Sequence, residues 1–335
     1  MIRIRYGSMW LAKQTAVVLY NKIYETSPED VIDNRTQAEW ISEELEVLNY
    51  NVIKIQFTTE CIGLLEKLKE TTENLIVINL VDSAPGEENL AYLIPAILDY
   101  LKIKYTGCSH EALFLTTNKV YTKRMLQSNC IHTPEWVYGK ENSGFSLNKR
   151  YIIKALCEDA SIGLCDESVY IAENLEMLEK AVLNRESQEG KQYFAERYIE
   201  GREFNVCIYG DQADPIILPP YEWTFDGFEG KDKVKIINYD AKWTENTYEY
   251  NHVNAVYNLP DEDNCILEEL KAVSKACWDI FNLKGYARID FRVDIEGKLW
   301  VLEINCNPSF YGFYNIAKYK GLDFKEILRR IAEVV

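Results

Sequence analysis

The chain has 335 residues, of which 47% are apolar, enough to bury a substantial core shared among two or three folding units. Its formal net charge of −16 repels phosphate backbones and anionic lipids, which argues against nucleic acid and membrane surfaces as partners. Nine cysteines, three histidines and the lack of any apolar run of about 18 residues argue against a zinc site and a membrane span, and they predict a soluble cytoplasmic enzyme with reduced thiols.

The first hundred residues predict an open α/β sheet. Residues 15–20 form a short apolar run suited to a buried parallel strand, and residues 34–48 have helical spacing. Two more strands are predicted at 52–55 and 75–81, which completes the βαβ rhythm of an α/β domain. We therefore assign residues 1–108 to an N-terminal domain.

The rest of the chain predicts two further domains, 109–195 and 196–335. In the first of them the patterns indicate a helix, a strand, a helix and a polar stretch, at 118–128, 151–154, 173–183 and 184–192. In the second they indicate two strands, a long polar loop, a helix, a strand pair and a final helix, at 203–210, 215–220, 223–259, 262–282, 287–294, 299–305 and 323–334. The fold class is α/β (α+β), with three tightly joined domains.

Four polar residues near the C-terminus form the most informative pattern. Arg288 and Asp290 are at strand spacing, and so are Glu303 and Asn305, so each pair shares one face of its strand. The turn at 295–297 predicts an antiparallel hairpin that brings the two faces together. Carboxylate and amide oxygens suit magnesium, and an arginine beside them suits a developing negative charge. The alternative is a solvated hairpin face on which Arg288 merely pairs with Asp290.

The sequence RIDFRVDIEGKLWVLEINCNPSF, residues 288–310, resembles the closing motif of the D-alanine–D-alanine ligase branch of the ATP-grasp superfamily. The match continues in order across nearly the whole chain. The resemblance implies an ATP-grasp fold, with an N-terminal α/β domain followed by central and C-terminal ATP-grasp subdomains. It also implies two magnesium ions, with manganese as an alternative, bound by Asp290, Glu303 and Asn305. Arg288 would contact the acyl phosphate and the tetrahedral intermediate.

The resemblance also implies an ATP site between the second and third domains. Lys119 and Lys154 match lysines that reach the ATP phosphates, although each alone is more typical of a surface lysine. In the segment 196–203, Glu196 and the backbone of Ile199 would meet adenine, and Glu203 would accept hydrogen bonds from the ribose hydroxyls. Without the family, this segment is an acidic turn between two strands.

Two loops resemble those that cover the nucleotide in the family. The loop after Lys154 keeps Ser161, whose backbone would cover the phosphates, but has Asp159 and Ala160 where glycine and serine are usual. The missing hydroxyl argues against the usual substrate. The segment 238–243 resembles the flexible lid over ATP, with Lys242 as a phosphate contact and Trp243 in the place of the usual substrate-side tyrosine. A plain surface loop is the alternative for the lid.

The predicted substrate pocket departs furthest from the family. Glu29 matches a glutamate that binds the ammonium of the first amino acid, with a solvated loop carboxylate as the alternative. After Asn305 the family has small and hydroxylated residues, whereas this chain has bulky aromatic residues between positions 308 and 315. We assign Ser309, Tyr311 and Tyr314 to the pocket, together with Trp243. Core packing is the alternative for these aromatic residues.

These observations predict an ADP-forming carboxylate–amine ligase that acts through an acyl phosphate on substrates other than D-alanine. Arg288, Lys242 and Glu29 are the predicted catalytic residues. The partners are a small-molecule carboxylate and an amine, an amino acid or a peptide, and the resemblance implies a homodimer. A true D-alanine–D-alanine ligase and a non-catalytic ATP-grasp-like binding protein are the alternatives.

Overall fold

The computed structural model describes residues 13–84, 87–158, 161–231 and 233–334. Within them the chain forms three β-sheets, one after another along the sequence. Asp159 and Ala160 of the predicted phosphate loop lie outside the described residues. No helix in the described ranges is long and apolar enough to cross a membrane.

The first sheet is parallel and has the strand order β2-β1-β3-β4. Both faces of β1 and β3 are covered, so these two strands are almost entirely apolar and buried. The strands are Thr15–Tyr20 (β1), Asn51–Gln56 (β2), Leu75–Asn79 (β3) and Lys104–Tyr105 (β4), and the helices are Glu29–Val47 (α1), Cys61–Thr71 (α2) and Leu93–Tyr100 (α3). The βαβ prediction for this region is confirmed.

Helix α1 begins at Glu29, five residues before the predicted start. Its first turn carries two acidic residues, which the helix dipole stabilises at an N-terminus. Apolar periodicity misses this turn because none of its residues is fully buried. In the next turn the buried position is polar: Asn34 accepts a hydrogen bond from the Asn21 main-chain N–H and donates one to the Leu80 carbonyl. Gln37, one turn later, is also buried.

The second sheet has the strand order β6-β5-β9-β7-β8. Its strands are Trp136–Tyr138 (β5), Glu141–Asn142 (β6), Lys149–Ala155 (β7), Val169–Ala172 (β8) and Tyr193–Arg197 (β9), and helices His110–Thr117 (α4), Lys119–Ser128 (α5) and Leu175–Glu189 (α6) accompany it. The side chain of Asn118 accepts hydrogen bonds from Val120 and Tyr121 and so starts α5 at Lys119. The predicted polar stretch 184–192 is mostly helix, because α6 continues until Gly190 ends it in a left-handed conformation.

The third sheet contains the order β13-β12-β10-β14-β15, with β11 paired to β10. Its strands are Gly201–Gly210 (β10), Pro215–Ile217 (β11), Tyr221–Phe225 (β12), Val253–Val256 (β13), Gly285–Asp294 (β14) and Leu299–Asn305 (β15). The helices are Tyr239–Trp243 (α7), Tyr248–His252 (α8), Asn264–Ile280 (α9), Tyr311–Lys320 (α10) and Phe324–Glu333 (α11). The predicted loop 223–259 is therefore wrong in part, since it holds two short helices and strand β13. The predicted hairpin is confirmed as β14 and β15.

One apolar core joins the first and third sheets. Phe310, Phe313 and Leu328 pack in the same cluster as Ala38 and Ile41 of α1. The apolar side chains of α4 and α5 pack instead with α9 and the other face of the third sheet. The first of these cores fixes the first sheet against the third. A cleft lies between the second and third sheets.

Candidate active site

The cleft between the second and third sheets encloses about 970 Å³ of space that is partly open to solvent. Residues from seven separate segments line it, and they include most of the predicted nucleotide and metal residues: Lys119, Lys154, Ser161, Glu196, Ile199, Glu203, Lys242, Arg288, Asp290 and Glu303. The fold thus brings together side chains that are up to 184 positions apart.

Glu303 is the carboxylate around which the cations of the cleft converge. The Nζ atom of Lys119 lies 3.8 Å from Oε2 of Glu303. Burial alone would raise the pKa of Glu303, but four surrounding cations outweigh burial and lower it to about 2, namely Lys119, Lys154, Arg288 and Lys242. Glu303 is therefore ionised at neutral pH, and these cations form a positive wall that suits an anionic ligand.

Glu196 is held between two lysines below the cleft. Its carboxylate binds Lys154 at 2.7 Å and also contacts Lys123, whose Nζ donates to the Thr133 hydroxyl at 2.9 Å. Since both carboxylate oxygens are engaged, a contact of Glu196 with adenine would have to use its main chain. Lys123 is absent from the sequence prediction, although its spacing of four from Lys119 puts both lysines on one face of α5.

Asp290 accepts hydrogen bonds from three side chains. Arg288 donates to both of its oxygens, from Nε at 2.7 Å and from Nη2 at 2.8 Å, Asn305 donates at 3.0 Å, and Asn205 also donates. Burial raises the pKa of Asp290 to about 6, and the facing carboxylate of Glu303 adds to this rise against the effect of Arg288. Arg288 does pair with Asp290, but the pair lies in a buried cleft and not on a solvated hairpin face.

The predicted metal ligands fit a hard divalent cation. Asp290 lies directly opposite Glu303 in the hairpin, and the Asn305 amide nitrogen lies between the two carboxylates, 3.0 Å from Asp290 Oδ2 and 3.4 Å from Glu303 Oε1. The described ranges contain no group of three or more His, Cys, Asp or Glu side chains placed for a metal. Magnesium needs only one or two carboxylates besides waters and phosphate oxygens, so this set suits magnesium once the amide turns its oxygen inward.

The segment 233–243, which contains the predicted lid and is called the lid segment below, closes one side of the cleft. Lys242 Nζ donates to the Ser161 hydroxyl at 2.9 Å, and that hydroxyl donates to the Ile237 carbonyl at 2.7 Å. Ser161 has a φ of 62°, a left-handed conformation that these two bonds help to hold. Burial and the nearby Arg288 lower the pKa of Lys242.

Asn205, Trp223 and Arg292 are among the cleft residues that are absent from the sequence prediction. The Asn205 amide donates to Asp290, and its oxygen accepts from Trp223 Nε1. Strand periodicity offers the signal for two of them, because Asn205 shares a face with Glu203 and Arg292 shares a face with Asp290. Periodicity predicts which face of the strand a residue occupies, but it does not predict which side chains that residue contacts.

The predicted substrate residues lie elsewhere, and among the described residues none of them lines this cleft. Ser309 donates from its hydroxyl to Gln37 Oε1 at 2.9 Å. Tyr311 stacks on Trp40 of α1, with ring centroids 5.7 Å apart, and Tyr314 meets the same ring edge-on at 5.1 Å. Both tyrosines therefore pack against α1, Tyr311 half-buried and Tyr314 exposed.

Glu29 and Trp243 lie beside a contact between the lid segment and α1. The Tyr239 hydroxyl donates to Oδ1 of Asp30 at 3.0 Å. Burial, with Asp30 beside it, raises the pKa of Tyr239 to about 12, so the hydroxyl stays a donor. Glu29 precedes Asp30 and is exposed, and the Trp243 ring lies 6.5 Å from the Tyr239 ring.

Comparison with known proteins identifies the family. Residues 143–333, more than half of the chain, match the family model described as the D-ala D-ala ligase C-terminus. The D-alanine–D-alanine ligase of Aquifex aeolicus is 30% identical over 244 residues, which cover 70% of this chain and 75% of that protein.

Two solved structures superpose on nearly the whole chain. D-alanyl-alanine synthetase A of Vibrio cholerae has a TM-score of 0.71 at 18% identity and covers 96% of this chain and 98% of its own. The D-alanine–D-alanine ligase of Bacillus anthracis, complexed with ATP, has a TM-score of 0.67 at 19% identity and covers 96% and 97%.

The fold is that of the ATP-grasp ligases. On the matched family model and the identity to the relative, the chain belongs to the D-alanine–D-alanine ligase family. It is accordingly an ATP-dependent ligase of this type, an ADP-forming enzyme that makes carbon–nitrogen bonds.

Proposed function

We propose that the chain joins a carboxylate to an amine through an acyl phosphate, with ATP bound in the cleft between the second and third sheets. The observation that carries this proposal is the convergence of four cations on Glu303, strong enough to bring its pKa down to about 2. A buried set of lysines and an arginine neutralises the charge that spreads over phosphate oxygens during phosphoryl transfer.

The division of roles follows from position. Lys119, Lys154 and Lys242 contact the phosphates, and Ser161 covers them from its loop. An oxygen of the substrate carboxylate attacks the γ-phosphorus, the bond from that phosphorus to the bridging oxygen breaks, and ADP leaves. The amine then attacks the acyl carbon, Arg288 stabilises the oxyanion, and phosphate departs. The main chain of Glu196 and Ile199 meets adenine, and Glu203 meets the ribose.

Asp290, Glu303 and Asn305 would hold the magnesium ions. The ions would supply charge neutralisation between the phosphates. Asn205 and Arg288 keep the Asp290 carboxylate in place before any ion binds. The three sheets support domains at 1–108, 109–195 and 196–335, with the nucleotide between the second and third.

We propose further that the substrates are not two D-alanines. The Ser309 hydroxyl and the Phe310 amide both donate to Gln37 Oε1, at 2.9 and 2.5 Å, so neither is available for a substrate carboxylate. Trp243 replaces a hydroxylated side chain with an indole at the lid. Both features favour a different or larger amine, next to Glu29 and the lid segment.

A panel of amino acids and short peptides, tested in pairs for ADP release with mass spectrometry of the products, tests this proposal. Glu303→Gln serves as the inactive control. Fastest turnover with D-alanine plus D-alanine would refute the substrate proposal and leave the ligase chemistry intact. No ADP release with any pair would favour a non-catalytic binding protein.

A further inference from the structure

Arg292 is a buried cation of the cleft to which the proposed chemistry gives no task. It is 3% exposed and lies on β14 directly opposite Glu203 of β10. A buried guanidinium is costly unless each of its donors finds a partner, so the partners of Arg292 indicate what holds it there.

Those partners come from strand β10 and from the lid segment. Nη2 lies 2.6 Å from Glu203 Oε2 and also donates to the Lys235 carbonyl, and Nη1 donates to the Gly201 carbonyl at 3.1 Å. The guanidinium faces the Tyr198 ring at 5.5 Å, and the Tyr198 hydroxyl donates to the same Lys235 carbonyl at 3.0 Å. Arg292 therefore links β10, the Glu203 carboxylate and the lid segment.

The geometry of this link restricts Glu203. With Oε2 held by the guanidinium, the carboxylate has a fixed orientation and its other oxygen is left for a ligand. The planar fork of an arginine can hold a carboxylate and two carbonyls together, whereas the point charge of a lysine cannot hold all three in one geometry. The same fork fixes Lys235, four residues before the helix that carries Lys242.

We propose that Arg292 is a positioning residue that aims Glu203 at the ribose hydroxyls and fastens the lid segment through Lys235. The discrimination between a ribonucleotide and a deoxyribonucleotide then depends on this one guanidinium. The inference rests on the proposed ribose contact of Glu203. A purely structural ion pair would instead weaken the binding of every nucleotide by the same factor.

The test measures dissociation constants for ATP and for 2′-deoxy-ATP and 3′-deoxy-ATP by calorimetry with magnesium present, so it needs no amine or carboxylate substrate. For Arg292→Met we expect ATP affinity to fall about 10-fold to 100-fold, the range for losing a hydrogen bond to a charged group. Affinity for at least one deoxynucleotide should fall much less. The discrimination ratio, which is the dissociation constant of the deoxynucleotide divided by that of ATP, should therefore approach one. Arg292→Lys should retain an intermediate ratio.

Arg202→Met is the matched control. Arg202 precedes Glu203 on β10, is more exposed than Arg292, and pairs with Glu222 at 2.6 Å and with Asp263 at 2.7 Å. It is not among the residues that line the cleft. It should lower thermal stability without changing the discrimination ratio. Thermal unfolding of each variant identifies those that are folded, and Arg292→Lys keeps the test valid if Arg292→Met unfolds.

Three outcomes separate the claims. Loss of discrimination in both Glu203→Gln and Arg292→Met supports the inference. Loss in Glu203→Gln with an unchanged ratio in Arg292→Met overturns the inference and leaves the ribose contact standing. A wild-type protein that binds ATP and both deoxynucleotides equally overturns the ribose contact of Glu203, and one that binds no ATP overturns the proposed nucleotide site itself.

Discussion

Replacing Asn205 by leucine should damage the cleft more than its single amide suggests. Asn205 links two other side chains: it donates to Asp290 and accepts from the indole N–H of Trp223. Leucine has a similar shape but offers neither a donor nor an acceptor. The change therefore removes a hydrogen bond to a carboxylate and also leaves the Trp223 N–H without this acceptor.

The magnitude follows from these two losses. A hydrogen bond to a charged group contributes about 1.5–3 kcal/mol, and an unsatisfied buried donor costs about 1–3 kcal/mol. We expect Asn205→Leu to lower the free energy of unfolding by about 3–4 kcal/mol at this partly buried site. Trp223→Phe alone removes one neutral donor and should cost about 1 kcal/mol. In the double variant no indole N–H remains to be left unpaired, so its cost should be about 1–2 kcal/mol below the sum.

Urea denaturation of the wild type and the three variants measures this cycle, with an unchanged m value as the sign that the folded state is intact. Magnesium-dependent ATP binding should weaken in Asn205→Leu, because Asp290 loses one of the groups that orient it. Free energies that add to within about 0.5 kcal/mol, the usual value for independent sites, would refute the coupling between Asn205 and Trp223.

Three other changes test separate parts of the cleft. Lys123→Met leaves Glu196 with one lysine and should cost about 3–5 kcal/mol of stability in denaturation experiments, whereas Lys119→Met should cost less stability and more ATP affinity. Burial lowers the pKa of Lys242, so Lys242 loses its charge at a lower pH than an ordinary lysine does. As pH rises, kcat/KM for ATP should therefore begin to fall at a pH below the ordinary lysine pKa of about 10.4. A fall at the same pH in Lys242→Arg would contradict this assignment. Tyr239→Phe removes the contact with Asp30 and should speed proteolysis within the lid segment, and an unchanged rate would show that this contact does not hold the lid.

The sequence was most informative where local pattern and chemistry coincide. Arg288 and Asp290 alternate with apolar residues on one strand, and a glycine turn predicts the returning strand, so the hairpin and the pairing of Asp290 with Glu303 could be expected. The gathering of the lysines around Glu303 came from the family resemblance, since nothing local relates residue 119 to residue 303.

The missed features depend on partners far away in the sequence. Gln37 is buried and accepts hydrogen bonds from Ser309 and Phe310. Trp40 packs against aromatic rings of α10, about 270 positions away. Helix α1 starts earlier than predicted because its first turn contains no buried residue and so adds nothing to the apolar pattern. Short helices such as α7 are stabilised by their contacts with the cleft and leave little periodic signal.

Trapping of the intermediate with hydroxylamine tests the central claim most directly. With ATP, magnesium and a carboxylate substrate, hydroxylamine should attack the acyl carbon, release phosphate and give a hydroxamate. We predict one ADP for each hydroxamate formed and the loss of both in Glu303→Gln. Formation of AMP and pyrophosphate, or release of ADP without hydroxamate, would contradict an acyl phosphate formed in this cleft.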